Sequence, residues 1–273
     1  MHLAFLLRTF YLAASLLVLV IHAVPALRSR FLAYGSRASG RAPGKEPRPP
    51  AQQPSAVARA LDYAATLQVP HNYFTHFYVT SVLCSALACY LRGGSASRQQ
   101  QTVWALLLLQ GLRRLLESAT HTSTSKSSMW FAHWILGLLF YITMNVAIWV
   151  ETPGKHRANW VLIPGVITAQ MLQYSYHAYL YRLRTENKGY QLPSHPLFPN
   201  LLCPHYTCEV AIYALLSLIA APEDSLVNWT LACGTIFVAT NLGVTAIGTK
   251  KWYTDKFGAE RVGPRNRMVP GIW

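Results

Sequence analysis

Seven stretches of this chain are apolar for about the length of a membrane-crossing helix, and ionisable residues sit where three of them begin or end. The stretches are 3–25, 74–91, 102–118, 131–150, 160–181, 206–221 and 227–247, against the ~20 residues that cross ~30 Å of hydrocarbon. Arg113, Arg114 and Glu117 close the third, Gln173 and His177 close the fifth, and His205 and Glu209 open the sixth. A charge at the bilayer centre costs roughly 2.5 to 3.5 kcal/mol on insertion scales, so such residues face a bundle interior or a wet cavity and usually carry function. The pattern predicts an all-α membrane protein, a seven-transmembrane helix bundle with a buried polar site at one face. Composition agrees: 12% of residues are charged and 52% hydrophobic, whereas soluble domains are about 25% charged.

Charge orients this bundle. All but five of the 24 Lys and Arg fall in or beside segments 28–73, 119–130, 182–205 and 248–273. By the positive-inside rule that face is cytosolic, which puts the N-terminus on the lumenal side and the C-terminus in the cytosol. The net charge of +14 is therefore a topology signal. It is not a nucleic-acid footprint, because no groove-reading or base-stacking module accompanies it. The first stretch has the outline of a secretory signal peptide, with Arg8 before an apolar run and small residues at Ala23–Ala26. It is followed by basic sequence and by further runs of membrane length, and is read as a retained span. The tract Ser36–Pro54 is expected to be a disordered basic linker, able to settle on anionic lipid.

Other features carry less. The five cysteines, Cys84, Cys89, Cys203, Cys208 and Cys233, have no zinc-site spacing and are expected to pack; no metal site is expected. Asn228-Trp229-Thr230 spells a glycosylation sequon, but the acceptor sits almost at the membrane and the match is attributed to chance.

The polar residues share a spacing. Gln173 with His177, His205 with Glu209, and Arg113 with Glu117 each stand four apart, so each pair lies on one helix face. All three pairs fall at cytosolic ends, next to Arg182, Arg184, Lys250, Lys251 and Arg265, a set able to hold a nucleotide diphosphate. The bland alternative for any one of them is an interhelical hydrogen bond or a snorkelling end charge. No G-x-G-x-x-G follows a strand and no G-x-x-x-x-G-K-[ST] loop is present, so a nucleotide would have to be held by helices.

Five segments, taken in order, resemble the steroid 5α-reductase family, in particular its polyprenol-reducing branch. Val69-Pro70, His76-Phe77-Tyr78 and Ser81-Val82 are similar to the VP…HFY…SV segment. Gln110 through Arg113-Arg114-Leu115-Leu116-Glu117 resembles the RRLYE motif, with Leu116 where the motif has tyrosine. Gln173-Tyr174 and His177, then Leu183-Arg184, resemble the QY…H…LR stretch, and Pro204-His205-Tyr206 with Glu209 the SP-N/H-Y…E element. Trp252-Tyr253, Lys256-Phe257, Arg265 and Val269-Pro270 resemble the closing FY…KF…R…LPF motif, with Gly271 and Trp273 in place of phenylalanines. Tyr73 likewise stands for the usual Trp or Phe.

The resemblance implies a bundle that binds NADPH from the cytosol and reduces a carbon–carbon double bond in the endoplasmic reticulum membrane. By position, Gln173, His177, Arg184, His205, Glu209, Tyr253 and Arg265 match the family's cofactor-contacting elements. His76, Tyr78, Arg114 and Glu117 are the candidates for polarising a carbonyl and returning a proton. Hydride adds readily to an alkene only when a conjugated carbonyl takes up the charge, with donors aimed at the developing enolate oxygen. An allylic alcohol offers no such sink, so the expected substrate is a polyprenyl lipid at the aldehyde level, polyprenal. Separate alcohol and aldehyde redox enzymes would complete the conversion of polyprenol to dolichol for protein N-glycosylation. An enone reductase acting on 3-oxo steroids is the alternative, and a non-enzymatic transporter or scaffold a distant one. The implied organisation is a first span over 1–27, a cytosolic basic linker over 28–68 and a catalytic bundle over 69–273.

Overall fold

The computed structural model describes residues 2–32, 55–92, 94–121, 127–151, 159–187 and 189–273. The basic tract Ser36–Pro54 lies outside the described residues. Among the described residues, seven long helices dominate: α1 (His2–Ala23), α4 (Phe74–Arg92), α5 (Arg98–Thr120), α6 (Phe131–Ala147), α7 (Ile163–Thr185), α8 (Pro204–Ile219) and α9 (Trp229–Phe257). Short helices α2 (Pro25–Phe31) and α3 (Ala56–Thr66) follow α1, and α10 (Ala259–Val262) follows α9.

Local sequence sets the helix boundaries. Pro25 at the first turn of α2 lets the chain bend at Val24, whose backbone is extended, as proline does when it opens a helix. Ser97 caps α5 through a reciprocal box with Gln100, which satisfies two otherwise orphaned N–H groups. Asn228 caps α9 by accepting from Leu231 N–H at 2.9 Å. Asn228 is 1% exposed, so the sequon is structural and out of reach of a glycosyl donor. The last long helix runs ten residues past its predicted end, to Phe257. Beyond the apolar stretch it is held by side chains: the Lys256 ammonium lies over Trp252 at 5.2 Å and over Tyr190 at 4.6 Å.

The helices alternate in direction. Strands β1 (Gln68–Pro70) and β2 (Ser128–Trp130) pair antiparallel, in the register Val69↔Met129, and tie the starts of α4 and α6 together. At the same end, His121 stacks on Tyr181 at 4.6 Å, linking the ends of α5 and α7. At the opposite end, Gln99 donates to the carbonyls of Ile219 and Ala221 at 2.7 and 2.9 Å. There Glu151 also accepts from Arg8, at 2.9 Å, and from the backbone N–H and hydroxyl of Thr230 at 2.7 and 2.6 Å. That clamp joins the starts of α1 and α9 to the segment after α6. With Leu7, Tyr11, Ala14 and Val18 in the main core, α1 is an integral helix of the bundle.

Three helical stretches are long and apolar enough to cross a membrane, His2–Ala23, His71–Arg92 and Trp229–Phe257, and α6 is a shorter apolar helix. The remaining long helices are α5, α7 and α8, which carry the site's ionisable residues, α8 having only 16 residues. All five cysteines are free; Cys203, Cys208 and Cys233 are buried as expected of packing residues, whereas Cys89 is exposed.

Close approach of α4 and α6 depends on glycine. A Cβ at Gly137 would lie 2.5 Å from the Phe77 ring, which is buried against it. Gly137→Ala is therefore expected to destabilise the protein by about 1–3 kcal/mol through overpacking, less the ~1 kcal/mol gained in helix propensity. Thermal unfolding in detergent should show a lower midpoint than wild type, while Gly94→Ala, where nothing lies within 4 Å, should leave it unchanged.

Candidate active site

One face of α5 presents Gln110, Arg113, Arg114 and Glu117, at steps of three and four residues that stack on a helix. Gly111 on the same turn lets α4 come near, since a Cβ there would meet Ser81 Oγ at 3.0 Å. The approach brings Tyr78 of α4 onto α5. The Arg114 guanidinium donates to the Tyr78 hydroxyl at 2.5 Å and lies 4.8 Å from the centre of its ring. From α7 come Gln173 and His177, and from the first turns of α8 come His205 and Glu209.

These side chains form one network. Glu117, 3% exposed, accepts from both Arg113 and Arg114. His177 Nδ1 lies 2.7 Å from Glu117 Oε2 and 2.6 Å from Arg114. The carboxylate cannot donate, so the contact with Glu117 is a hydrogen bond only if Nδ1 carries the proton; Nε2 is then left as an acceptor. Deeper in, Gln173 uses its whole amide. Its oxygen accepts from Gln110 at 3.0 Å and from Arg113, and its nitrogen donates to Glu209 and to the His205 carbonyl at 3.2 Å. Gln110 in turn donates to Glu209 at 3.1 Å and accepts from Arg113 at 2.7 Å. Two guanidinium groups thus face two carboxylates across a pair of amides, a balance that lets charge persist inside an apolar bundle.

The network borders a cavity of about 630 Å³. All the sequence-predicted site residues line it except His76 and Arg265: Tyr78, Arg114, Glu117, Gln173, His177, Arg184, His205, Glu209 and Tyr253 do so. His76, two residues from Tyr78, points away from it. It is exposed, with its ring against Tyr73 at 4.4 Å and Trp134 at 6.0 Å, and this aromatic packing gives it no access to the cavity. Arg265 is likewise set back, donating to the Pro193 carbonyl. Leu116 is 65% exposed; a side chain at that position faces away from the network, so replacing the motif tyrosine removes no group from the cavity.

Two supporting residues, Gln110 and Arg113, sit behind the cavity wall, and Gln110 escaped the sequence reading as a site residue. Its spacing from Arg113, Arg114 and Glu117 was the available signal. Tyr141 and Asn241 line the cavity too, and nothing in an apolar run distinguishes them.

The cavity lining is chemically mixed. Phe74, Phe77, Leu136, Phe140 and Phe237 contribute apolar surface. Arg184, Tyr190, Tyr206 and Tyr253 also line it, with the Arg184 guanidinium 4.8 Å over the Tyr190 ring. His205 stacks on Tyr176 at 5.3 Å, and its buried Nδ1 has no hydrogen-bond partner among the described residues. A buried polar atom left unsatisfied asks for a ligand group.

A buried polar network opening onto a cavity lined by both aromatic and charged residues, within a bundle of apolar helices, is what an enzyme acting on a lipid-like substrate needs. The family model described as 3-oxo-5-alpha-steroid 4-dehydrogenase matches residues 121–273, and the chain belongs to that family. It is 30% identical over 228 residues to the polyprenal reductase of Saccharomyces cerevisiae, covering 81% of each chain. It is 24% identical to the human polyprenal reductase, over 90% of this chain and 88% of that one. Polyprenal reductase 2 of japonica rice is 26% identical over 85% of each.

Removing the carboxylate at the centre should be costly. Glu117→Gln leaves Arg113 and Arg114 without their shared counter-charge, and an uncompensated buried charge costs about 3–5 kcal/mol. The thermal midpoint should fall steeply, and Arg113→Gln/Glu117→Gln should lose less than the sum of the single variants in a double-mutant cycle.

Proposed function

We propose that this protein reduces the double bond conjugated to the aldehyde of polyprenal, using NADPH. The observation that carries the reading is the Tyr78 hydroxyl, fixed by Arg114 beside an apolar cavity. Relatives named polyprenal reductase cover most of the chain, which supports this substrate over other enones. The family description favours a 3-oxo steroid as the second reading. The chain's seven long helices then serve as seven spans, with the N-terminus lumenal, the C-terminus cytosolic and the endoplasmic reticulum as the expected membrane.

The cavity's residues fit a dinucleotide. Arg184 and the nearby Lys256 are suited to its phosphates, Tyr253 and Tyr206 to flat ring surfaces, and the orphaned His205 Nδ1 to a hydroxyl or amide. Bound there, NADPH would supply the hydride for the β-carbon. The remaining work falls to side chains of this protein.

Tyr78 accepts a hydrogen bond from Arg114 through its oxygen, which leaves its own O–H to donate. A cation on the phenol oxygen strengthens that donation. Aimed at the aldehyde oxygen, the O–H stabilises the negative charge that collects there as the double bond is reduced. The proton that completes the reaction goes to the α-carbon from the Tyr78 phenol, whose phenolate is held by the Arg114 guanidinium until it is reprotonated from solvent through the cavity. Glu117 accepts from Arg113 and Arg114 and lies 2.7 Å from His177 Nδ1, so its part is to position Arg114 and His177. His76, exposed and turned away, is left out of the mechanism. The apolar surface of the cavity receives the first isoprene units, and the rest of the tail stays in lipid.

Purified protein in liposomes, offered NADPH with polyprenal, polyprenol or a 3-oxo-Δ4 steroid, is expected to turn over polyprenal alone. Turnover of polyprenol without added dehydrogenase would refute the aldehyde-level mechanism, and preference for the steroid would move the protein to the second reading. Tyr78→Phe should lower kcat by about 10²–10⁴, the usual worth of a positioned acid, while His76→Ala keeps wild-type turnover.

A further inference from the structure

A second cavity, of about 200 Å³, lies beside the first among the end of α1, α2, the start of α6 and the last turns of α9. Its polar lining is His22, Arg28, His133, Asn241, Thr245 and Lys251, and among the described residues no carboxylate lines it. Among the described residues no ion pair involves Arg28 or Lys251. Both are exposed, at the end of the bundle where the basic segments gather. The bend at Val24–Pro25 builds the niche. It turns α2 so that Arg28 folds back, with Nη1 3.4 Å from the His22 carbonyl, and Phe31 at the end of α2 seats on Trp130 with ring centres 4.3 Å apart.

The two cavities share His133 and Asn241. A group held in the small one is therefore at the edge of the large one, near Phe237, Val238 and Leu242. Two permanent cations, imidazoles and small polar donors with no acid describe an anion site. The volume admits a compact headgroup and excludes a nucleotide or a lipid tail. Its position at helix ends on the basic face is where an anionic lipid headgroup sits.

We propose that this niche binds the phosphate of a lipid phosphate monoester, and that an isoprenyl phosphate held there lays its first isoprene units across the opening of the main cavity and competes with the lipid substrate. A dianionic terminal phosphate matches the paired cations, and a diester with a bulky headgroup exceeds the space. The protein would then sense the phosphorylated form of the lipid class it reduces. Competition rests on the proposed substrate; the binding of the phosphate does not.

The test uses the full chain in nanodiscs of neutral phosphatidylcholine. Long-chain isoprenyl phosphate, phosphatidic acid and inorganic phosphate are offered separately, and retained ligand is read by native mass spectrometry. Both monoester lipids should be retained and inorganic phosphate should not, with retention at least tenfold weaker in Arg28→Gln/Lys251→Gln and restored in Arg28→Lys/Lys251→Arg. In turnover assays isoprenyl phosphate should raise the apparent KM for polyprenal at constant kcat in wild type and lose that effect in the Gln variant, each compared with its own uninhibited rate. Equal retention by the Gln variant overturns the site, and so does displacement of the lipid by inorganic phosphate. Retention without competition overturns only the inhibitory part.

Discussion

Glu117 is a carboxylate only 3% exposed within a bundle of apolar helices, and the architecture around it follows from keeping that charge tolerable. Two guanidinium groups on its own helix meet it, but two cations on one anion leave an excess. That excess is passed through Gln110 and Gln173 to Glu209 on α8. The amides are not spectators: each donates with its nitrogen toward a carboxylate and accepts with its oxygen from a guanidinium, so reversing either would set like partners against each other. Helices α5, α7 and α8 are thereby held in one register, because sliding any of them would strand a buried charge.

The reactive geometry is a by-product of that register. With Arg114 pinned by Glu117, its remaining donors point toward α4, and Gly111 lets α4 come close enough for Tyr78 to receive one of them. At the far end of the bundle, the Arg8–Glu151–Thr230 clamp does for α1 and α9 what Glu117 does inside, using one carboxylate to fix two helices and a connecting segment. The first helix is in consequence packed into the wall of the bundle, and its bend into α2 is what brings Arg28 beside α9.

Much of this was legible in the sequence, for reasons tied to particular residues. Helices announced themselves as apolar runs, and the charged pairs at four-residue spacing announced a shared face, because a charge in such a run is too costly to be incidental. Gln110 went unassigned because it is uncharged and buried amides look ordinary. His76 and Tyr78 arrived together in one motif, yet residues two apart on a helix point nearly opposite ways, and only packing decides which looks inward. The length of α9 was underestimated because hydropathy ends at the membrane surface while the helix continues, carried by aromatic and lysine contacts. Leu116 drew attention as a lost phenol, but the face of α5 it occupies could be seen only once Arg114 and Glu117 were anchored.

The mixed lining of the main cavity bears on how a lipid would enter it. A molecule with a long apolar tail can enter an internal membrane site only along a path that never exposes the tail to water, so its tail must trail toward lipid. In the proposed reaction its polar head is then the part delivered to Tyr78 and Arg114. An uncharged phenol is the suitable group to meet it there: an ionised acid would repel the oxygen on which negative charge develops, and a bare guanidinium would bind the ground-state oxygen strongly without holding a proton to give. In the proposed mechanism, interposing tyrosine between the arginine and the substrate transmits the cation's polarisation while keeping a transferable proton at the point of contact. The balanced charges behind the wall are what permit that arginine to be there.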